Sequence, residues 1–293
     1  MTDDPADDAD GVVERVSADD AFGLLGDDTR LGVLRALSEA DGPLGFADLR
    51  AAAGVEDSGQ FNYHLDRLVG QFVAKNEDGY LLTPAGRRVV GAVLAGQYTK
   101  GVESDPVAVD AACPHCDGTL AANFDEWNVR IACDDCDRNV IRLGVPPGAF
   151  EEYPRPEWPR VAERWTRREF GRFVDGFCPN CHGPTTSTLE RSPEGVLDTY
   201  PFGVRYVCDR CGTGMFANVE AHVLFRPAVV AFHYERGIDV TETPIWELDW
   251  AVTPRAEAVA EDPLRVEVPV TVDGDRLRLT LDADATVVET RRE

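Results

Sequence analysis

The sequence predicts an α+β multidomain chain: an N-terminal winged helix-turn-helix, two four-cysteine zinc ribbons, and a C-terminal region of one helix plus a β-hairpin. Three observations predict it. Residues 17–100 alternate short, apolar-striped helical segments with a single hairpin pattern. All eight cysteines fall into four C-x-x-C pairs, with none left over. Beyond the last pair, a helical stretch opened by Pro227 and closed by Gly237 precedes strand alternation on either side of Asp273-Gly274.

Composition sets the frame. The 293 residues are 43% apolar, enough for two or three cores. No run approaches about eighteen consecutive apolar residues, and the first twenty residues are acidic where a signal peptide would be basic and then apolar. A cytoplasmic protein with no membrane partner is expected. The formal net charge is −24 and the only lysines are Lys75 and Lys100. Such a surface resembles those of salt-accumulating, halophilic archaeal proteins. It stays hydrated where molar salt shortens the Debye length to about 3 Å.

The expected boundaries follow. Residues 1–16 read as a disordered acidic tail, 17–100 as the winged helix-turn-helix DNA-binding domain and 101–110 as a linker. Residues 111–150 hold the first zinc ribbon. Residues 151–176 form an arginine-rich helical connector. Residues 177–293 hold the second ribbon with the C-terminal α/β region.

In the N-terminal segment, Leu31, Leu34 and Leu37 share one helical stripe, with Asp28 as N-cap and Gly42-Pro43 as terminator. A second helix spans about Phe46 to Ala53 and closes at Gly54. A third starts after Asp57-Ser58 and runs to about Gly70. Helices this short, joined by a brief glycine-containing turn, form the helix-turn-helix pattern. At about 100° per residue, Phe61, Leu65 and Leu68 of the third helix point to the core. Gly59, Tyr63 and Arg67 point away, with Gln60 and Asn62 beside them. Gln and Asn can pair with adenine, and Arg with guanine, in the major groove. Ser58, Gly59, Gln60, Asn62, Tyr63 and Arg67 are therefore the candidate DNA-facing residues. His64, at the edge of the core face, reads as a packed or capping histidine. Phe72 to Lys75, then Asn76-Glu77-Asp78-Gly79, then Tyr80 to Leu82 read as a hairpin with an Asp-Gly turn, the wing. Lys75 on it, and Arg87 and Arg88 just after it, are candidate phosphate contacts. Thr83-Pro84 starts a further helix, whose Val89, Val90, Val93 and Leu94 could pack on the domain or on a second copy.

The strings F-G-L-L-G-D-D-T-R-L-G-V-L-R-A-L and N-Y-H-L-D-R-L resemble the ArsR-type winged helix-turn-helix family over about residues 20–95. The resemblance implies a regulator that binds double-stranded DNA as a homodimer. Metal-sensing members carry cysteines in or near the recognition helix. This segment has none, so metal sensing there is not expected. Residues 17–100 carry more acids than bases, which weakens phosphate binding in low salt. In molar salt, hydrogen bonding and shape carry more of the affinity, and a neutral polar face suits that regime.

The first cysteine group is Cys113, Cys116, Cys133 and Cys136, with sixteen residues between its pairs. The second is Cys178, Cys181, Cys208 and Cys211, with twenty-six. A longer hairpin with a loop at 190–195 accommodates the excess. Each C-x-x-C turn presents two thiolates, and a hairpin brings two turns together into a closed tetrahedron. Two structural Zn2+ ions are expected, with iron as the minority alternative. His115 and His182 are surplus as ligands. Grouping neighbouring pairs is the simplest choice, with a crossed arrangement left open. Gly183 and Gly212 supply the tight turns after the pairs.

Trp158, Val161 and Trp165 form a helical stripe flanked by Arg160, Arg164, Arg167, Arg168 and Arg172. These arginines are expected to pair with the protein's own carboxylates rather than with DNA phosphate or an acidic partner. Pro244 to Leu248 reads as a strand, and Leu264–Val272 with Arg276–Leu281 as a hairpin. The pattern H-x-x-F-x-P-A-V-V-A-F-x-x-x-x-G-I-D-V, with a later W-E-L, resembles the C-terminal region of haloarchaeal regulators that also carry a winged helix. By position it is an effector or dimerisation region.

The functional expectation is a sequence-specific transcription regulator, with a possible effector ligand or the transcription machinery as further partners. The alternative is a zinc-ribbon protein-interaction or RNA-binding module in which the winged helix is structural. No enzyme is expected: Walker, G-x-S-x-G, H-E-x-x-H and dinucleotide motifs are missing from the sequence.

Overall fold

The computed structural model describes residues 17–126, 128–193 and 199–293. The acidic tail expected over 1–16 lies outside these residues, as do Glu194 and Gly195 of the expected loop. The chain is mixed α/β, with nine α-helices and four small antiparallel sheets among the described residues. It divides into two compact units, one ending at Thr99 and one starting at Lys100.

The first unit runs α1 (Ala18–Leu25), α2 (Asp28–Glu39), α3 (Phe46–Ala52), α4 (Ser58–Leu68), β1 (Val73–Asn76), β2 (Gly79–Leu82) and α5 (Pro84–Leu94). Three helix starts are set by side chains that satisfy an otherwise orphaned amide. Asp27 accepts from Arg30 N, Asp57 from Gln60 N, and Thr83 from Gly86 N. The cap of α2 is thus Asp27, one residue before the expected Asp28, because Asp28 already has helical geometry as the first residue of α2. Val33, Leu34, Leu37, Leu49, Phe61, Leu65, Leu68, Val73 and Val90 fill one core. In the hairpin, Asn76 pairs with Gly79, so the two-residue loop is Glu77-Asp78 rather than Asp-Gly. The Asn76 side chain accepts from both the Asp78 and Gly79 amides at 3.0 Å, which stabilises that turn. Leu44 adds a bridge on the far side of β2, exchanging backbone bonds of 3.0 and 2.9 Å with Tyr80. There is no room for a side chain at Gly79, where a Cβ would meet the Leu44 carbonyl, nor at Gly86, where it would meet that of Phe72.

The second unit begins with β3 (Val102–Ala112), β4 (Thr119–Glu126), β5 (Asn128–Cys133) and β6 (Asn139–Gly144), paired in that order. Residues 101–110 are therefore not a linker. Val107 and Val109 point into the core in strand alternation. Pro106 lies where the register shifts between Ser104 and Val107, on an edge strand, where a missing N–H removes no ladder bond. Helix α6 (Trp158–Val174) is amphipathic and packs Trp158, Val161, Ala162 and Trp165 against this sheet. Its end carries Phe170 and Phe173 into a second cluster. The expected connector is thus shared core, and the expected pieces 111–150, 151–176 and 177–293 fold as parts of one unit.

The second cluster lies among β7 (Thr185–Arg191), β8 (Phe202–Cys208), β9 (Gly214–Asn218), α7 (Val219–Val223), α8 (Pro227–Tyr234), α9 (Asp249–Val252) and a four-stranded meander. The meander is β10 (Glu257–Glu261), β11 (Leu264–Val272), β12 (Asp275–Leu281) and β13 (Val287–Arg292). Val266, Val268 and Val270 of β11 stand opposite Leu281, Leu279 and Leu277 of β12, and all six are buried. Asp273 and Gly274 turn between them with φ of 52° and 89°, the conformation the dipeptide predicts. The strand expected at Pro244–Leu248 is instead a 3-10 turn, Ile245–Glu247, leading into α9. Helical turns send Trp246 into the first cluster and Leu248 and Trp250 into the second. A straight strand alternates its side chains about one sheet and has no sheet to join here.

Candidate metal centres and an exposed helix face

Four loops of one design hold the eight cysteines. At Cys113, Cys133, Cys178 and Cys208 the cysteine amide donates to the carbonyl five residues on, at 2.8 to 3.1 Å. The amide four residues on donates back to the cysteine carbonyl at 2.9 to 3.0 Å. Closing such a loop requires a left-handed residue at the fifth position, directly after the second cysteine. Asp117, Asp137, His182 and Gly212 hold φ of 60°, 57°, 60° and 72° there. Asp and His tolerate this region better than most residues. In the third loop the left-handed residue is therefore His182, not Gly183. A Cβ at Gly183 would crowd Arg210 and the Cys181 sulfur.

The groups assemble from neighbouring pairs, not crossed ones. Cys113, Cys116, Cys133 and Cys136 bring their sulfurs within 4.8 Å of one another, and so do Cys178, Cys181, Cys208 and Cys211. Cross-pair separations are 3.8 Å for Cys113–Cys136, 3.5 Å for Cys116–Cys133, 3.7 Å for Cys178–Cys211 and 3.4 Å for Cys181–Cys208. A disulfide would need about 2.05 Å. A tetrahedron with metal–sulfur bonds of about 2.3 Å has edges of about 3.8 Å. The geometry is therefore compatible with two zinc-type sites. Amides point at the sulfurs as well: His115 N to Cys113 Sγ at 3.4 Å and Asp135 N to Cys133 Sγ at 3.4 Å. Burial pushes the Cys133 thiol up, but the Cys136 and Asp135 amides outweigh it and bring it to about 7. The Thr213 hydroxyl and amide lower Cys211 to about 6. The Gly118 amide lowers Cys116, yet hydrogen bonds shared with Cys133 and Cys136 push it up to about 12. Four sulfurs crowded together cannot all ionise without a cation beside them, and a bound metal ion would supply that charge. His115 and His182 belong to neither group.

In the first unit, α4 buries Phe61, Leu65 and Leu68 completely. Ser58, Gly59, Gln60, Asn62, Tyr63 and Arg67 are all exposed, and Tyr63 is 53% exposed. The Arg67 guanidinium stacks on the Tyr63 ring at 5.2 Å. Asn62 donates its side-chain amide to Asp66 at 2.8 Å. His64 is buried, with Nδ1 3.3 Å from Asp27, as a packed histidine should be. Lys75 is exposed on β1 and lies over Tyr80 at 5.1 Å. Arg87 and Arg88 are exposed near the start of α5, where Arg87 borders a groove lined by Leu37, Pro43 and Leu82.

A family model described as a domain of unknown function, DUF7351, matches residues 110–287, more than half of the chain. The chain belongs to the DUF7351 family. The DUF7351 region takes in both cysteine groups and the meander as far as the start of β13. A second model, also a domain of unknown function, DUF7347, matches residues 18–93, which span α1 to α5. No curated protein matches the sequence.

The arginine-rich helix of the DUF7351 region holds the main feature that residue types alone did not bring out. Glu163 is 1% exposed within α6. It pairs with Arg160 at 2.6 Å and with Arg167, and accepts the Ile245 amide at 3.3 Å. Arg167 also donates to the carbonyls of Val240 and Thr243, and Arg160 to that of Glu242. The spacing R-x-x-E-x-x-x-R was the available signal. Two further polar groups, Glu220 and His222, the latter the first residue of the H-x-x-F-x-P pattern, are also buried. Glu220 accepts the Arg255 and Ala256 amides, and His222 joins Tyr206 to the Ala285 carbonyl. Among the described residues, no helix is long and apolar enough to cross a membrane.

Proposed function

We propose that this chain is a sequence-specific, DNA-binding transcription regulator of the winged helix-turn-helix type, acting as a homodimer. In this reading α3 and α4 are the helix-turn-helix, β1 and β2 the wing, and each cysteine group holds one structural Zn2+. The observation that carries the proposal is the two-sided character of α4. One side is sealed into the core. The other exposes Gln60, Tyr63 and Arg67, side chains able to meet base edges. Lys75, Arg87 and Arg88 supply the phosphate contacts. A closed four-thiolate shell leaves no position for water, so the metal's part is to fasten the second unit.

The test is capture of duplex fragments from a genomic pool by the full chain in molar KCl. A restricted set of fragments should be retained, and a Tyr63→Ala/Arg67→Ala double variant should retain none of them. Equal capture by the variant would reject the α4 assignment. The acid excess favours one rival, a zinc-ribbon module that binds a protein and uses the first unit only as a support. Under that reading the wild-type chain enriches no duplex at all.

A further inference from the structure

We infer that Arg67 reads a guanine in the duplex that α4 enters, positioned by Tyr63, and that Asn62 reads no base. The inference rests on the DNA-binding reading above and deepens it. A helical side chain leans toward the N-terminus of its helix, onto the residue one turn earlier. Arg67 does this: its guanidinium lies over the Tyr63 ring at 5.2 Å. The stack places the charge near the middle of the exposed face instead of at the helix end. It also limits the rotations of a long side chain before any partner arrives, so less freedom is lost on contact.

A guanidinium whose centre lies over a ring is held by its face toward the π-system and leaves N–H donors free on the side away from it. Its fork matches O6 and N7 of guanine, the commonest specific contact of arginine in the major groove. A phosphate at this spot is disfavoured by the next residue. Asp66 is exposed and carries its carboxylate on the same stretch of helix, 2.8 Å from the Asn62 amide nitrogen. A base edge brings no full negative charge toward Asp66, whereas a phosphate does. The same bond removes Asn62 as a reader. Recognition of adenine needs the amide N–H and C=O presented together, and here the amide nitrogen is turned to Asp66.

The experiment is enrichment of a randomised duplex pool by the full chain in molar KCl, repeated with single variants and read by sequencing. The wild type should enrich a motif containing a guanine that depends on Arg67. Arg67→Lys keeps the charge but loses the fork, and should cut the guanine preference at that position by roughly five- to a hundredfold while other positions persist. Tyr63→Phe retains the ring and should retain the preference; Tyr63→Ala should weaken it. Asn62→Ala should leave the motif unchanged. A motif that survives Arg67→Lys at every position overturns the inference and leaves DNA binding standing. A motif that loses an adenine in Asn62→Ala overturns the silent role of Asn62. A pool with no enrichment overturns the DNA-binding reading and this inference with it.

Discussion

Glu163→Gln should destabilise the second unit by about 3–5 kcal/mol, although it alters only one charge and hardly any shape. The magnitude follows from the surroundings of the carboxylate. The Glu163 side chain is 2% exposed and that of Arg167 12%, so the pair lies out of water. Breaking a buried pair by neutralising one partner leaves the other charge uncompensated, which costs about 3–5 kcal/mol. A glutamine can still accept from the Ile245 amide, so the loss isolates the charge. Arg160 is the internal control. Its side chain is 30% exposed, and Arg160→Ala leaves the Glu163–Arg167 pair intact. Its cost should stay near 1 kcal/mol or less. Urea unfolding followed by tryptophan fluorescence is a clean readout, because all five tryptophans lie beyond Lys100. In thermal unfolding the same loss should appear as a drop of roughly 6–20 °C for a unit of this size. A buried pair is little screened, so the loss should persist in molar KCl. The reasoning is refuted if Glu163→Gln unfolds within about 1 kcal/mol of wild type, or if Arg160→Ala costs as much.

Four further outcomes are expected. Metal analysis should find two zinc ions per chain, one for each sulfur group, and Cys208→Ser should reduce the count to one; an unchanged count rules out the four-sulfur assignment of the second group. Burial, and then the nearby Arg226, hold His222 down to about 4, below its ordinary 6.5. The unfolded chain therefore takes up this proton first, and the stabilisation present above pH 6.5 is lost as pH falls toward 4, by about 3 kcal/mol. The unfolding free energy of His222→Gln should fall less steeply across that window, and parallel curves for the two proteins would contradict the assignment. Asp57→Ala removes the acceptor for Gln60 N, 2.6 Å away, and should lower the stability of the first unit by about 1 kcal/mol, read as loss of helical circular dichroism on heating. With Lys75, Arg87 and Arg88 as the phosphate contacts, the logarithmic dependence of DNA affinity on salt should have a slope of about −3 or shallower per protomer; a much steeper slope requires cations outside this set.

Features written over a few residues were legible in advance. Asp57 and Thr83 mark helix starts because each satisfies an amide three residues away. Phe61, Leu65 and Leu68 reveal their shared face by periodicity alone. The cysteine loops are local, and their two groups needed only a hairpin each. Features decided by distant partners were not legible. Residues 101–110 look like a linker because Pro106 and the acids obscure an alternation that has meaning only beside β4. Pro244 to Leu248 looks like a strand because nothing local says that Trp246 and Leu248 enter different clusters. Glu163 looks like one more surface acid until the carbonyls of Val240 and Thr243, more than seventy residues on, converge on its arginine. On α4, spacing separated the two faces, but it did not reveal that Asn62 and Asp66 are already bonded to each other.

The tight fit around Gly79 and Gly86 governs how the first unit meets anything large. Leu44 grips one flank of the hairpin, while the Thr83 hydroxyl holds the Gln71 carbonyl at 2.7 Å on the other. Neither contact leaves slack for the β-ribbon to swing as a separate arm. These contacts join the ribbon, the helix after it and the loop before α3 into one plate, whose shape should be set before a visitor arrives. Its arrival should involve little rearrangement of this plate, and the speed of association should depend on how often the two bodies collide in the right orientation.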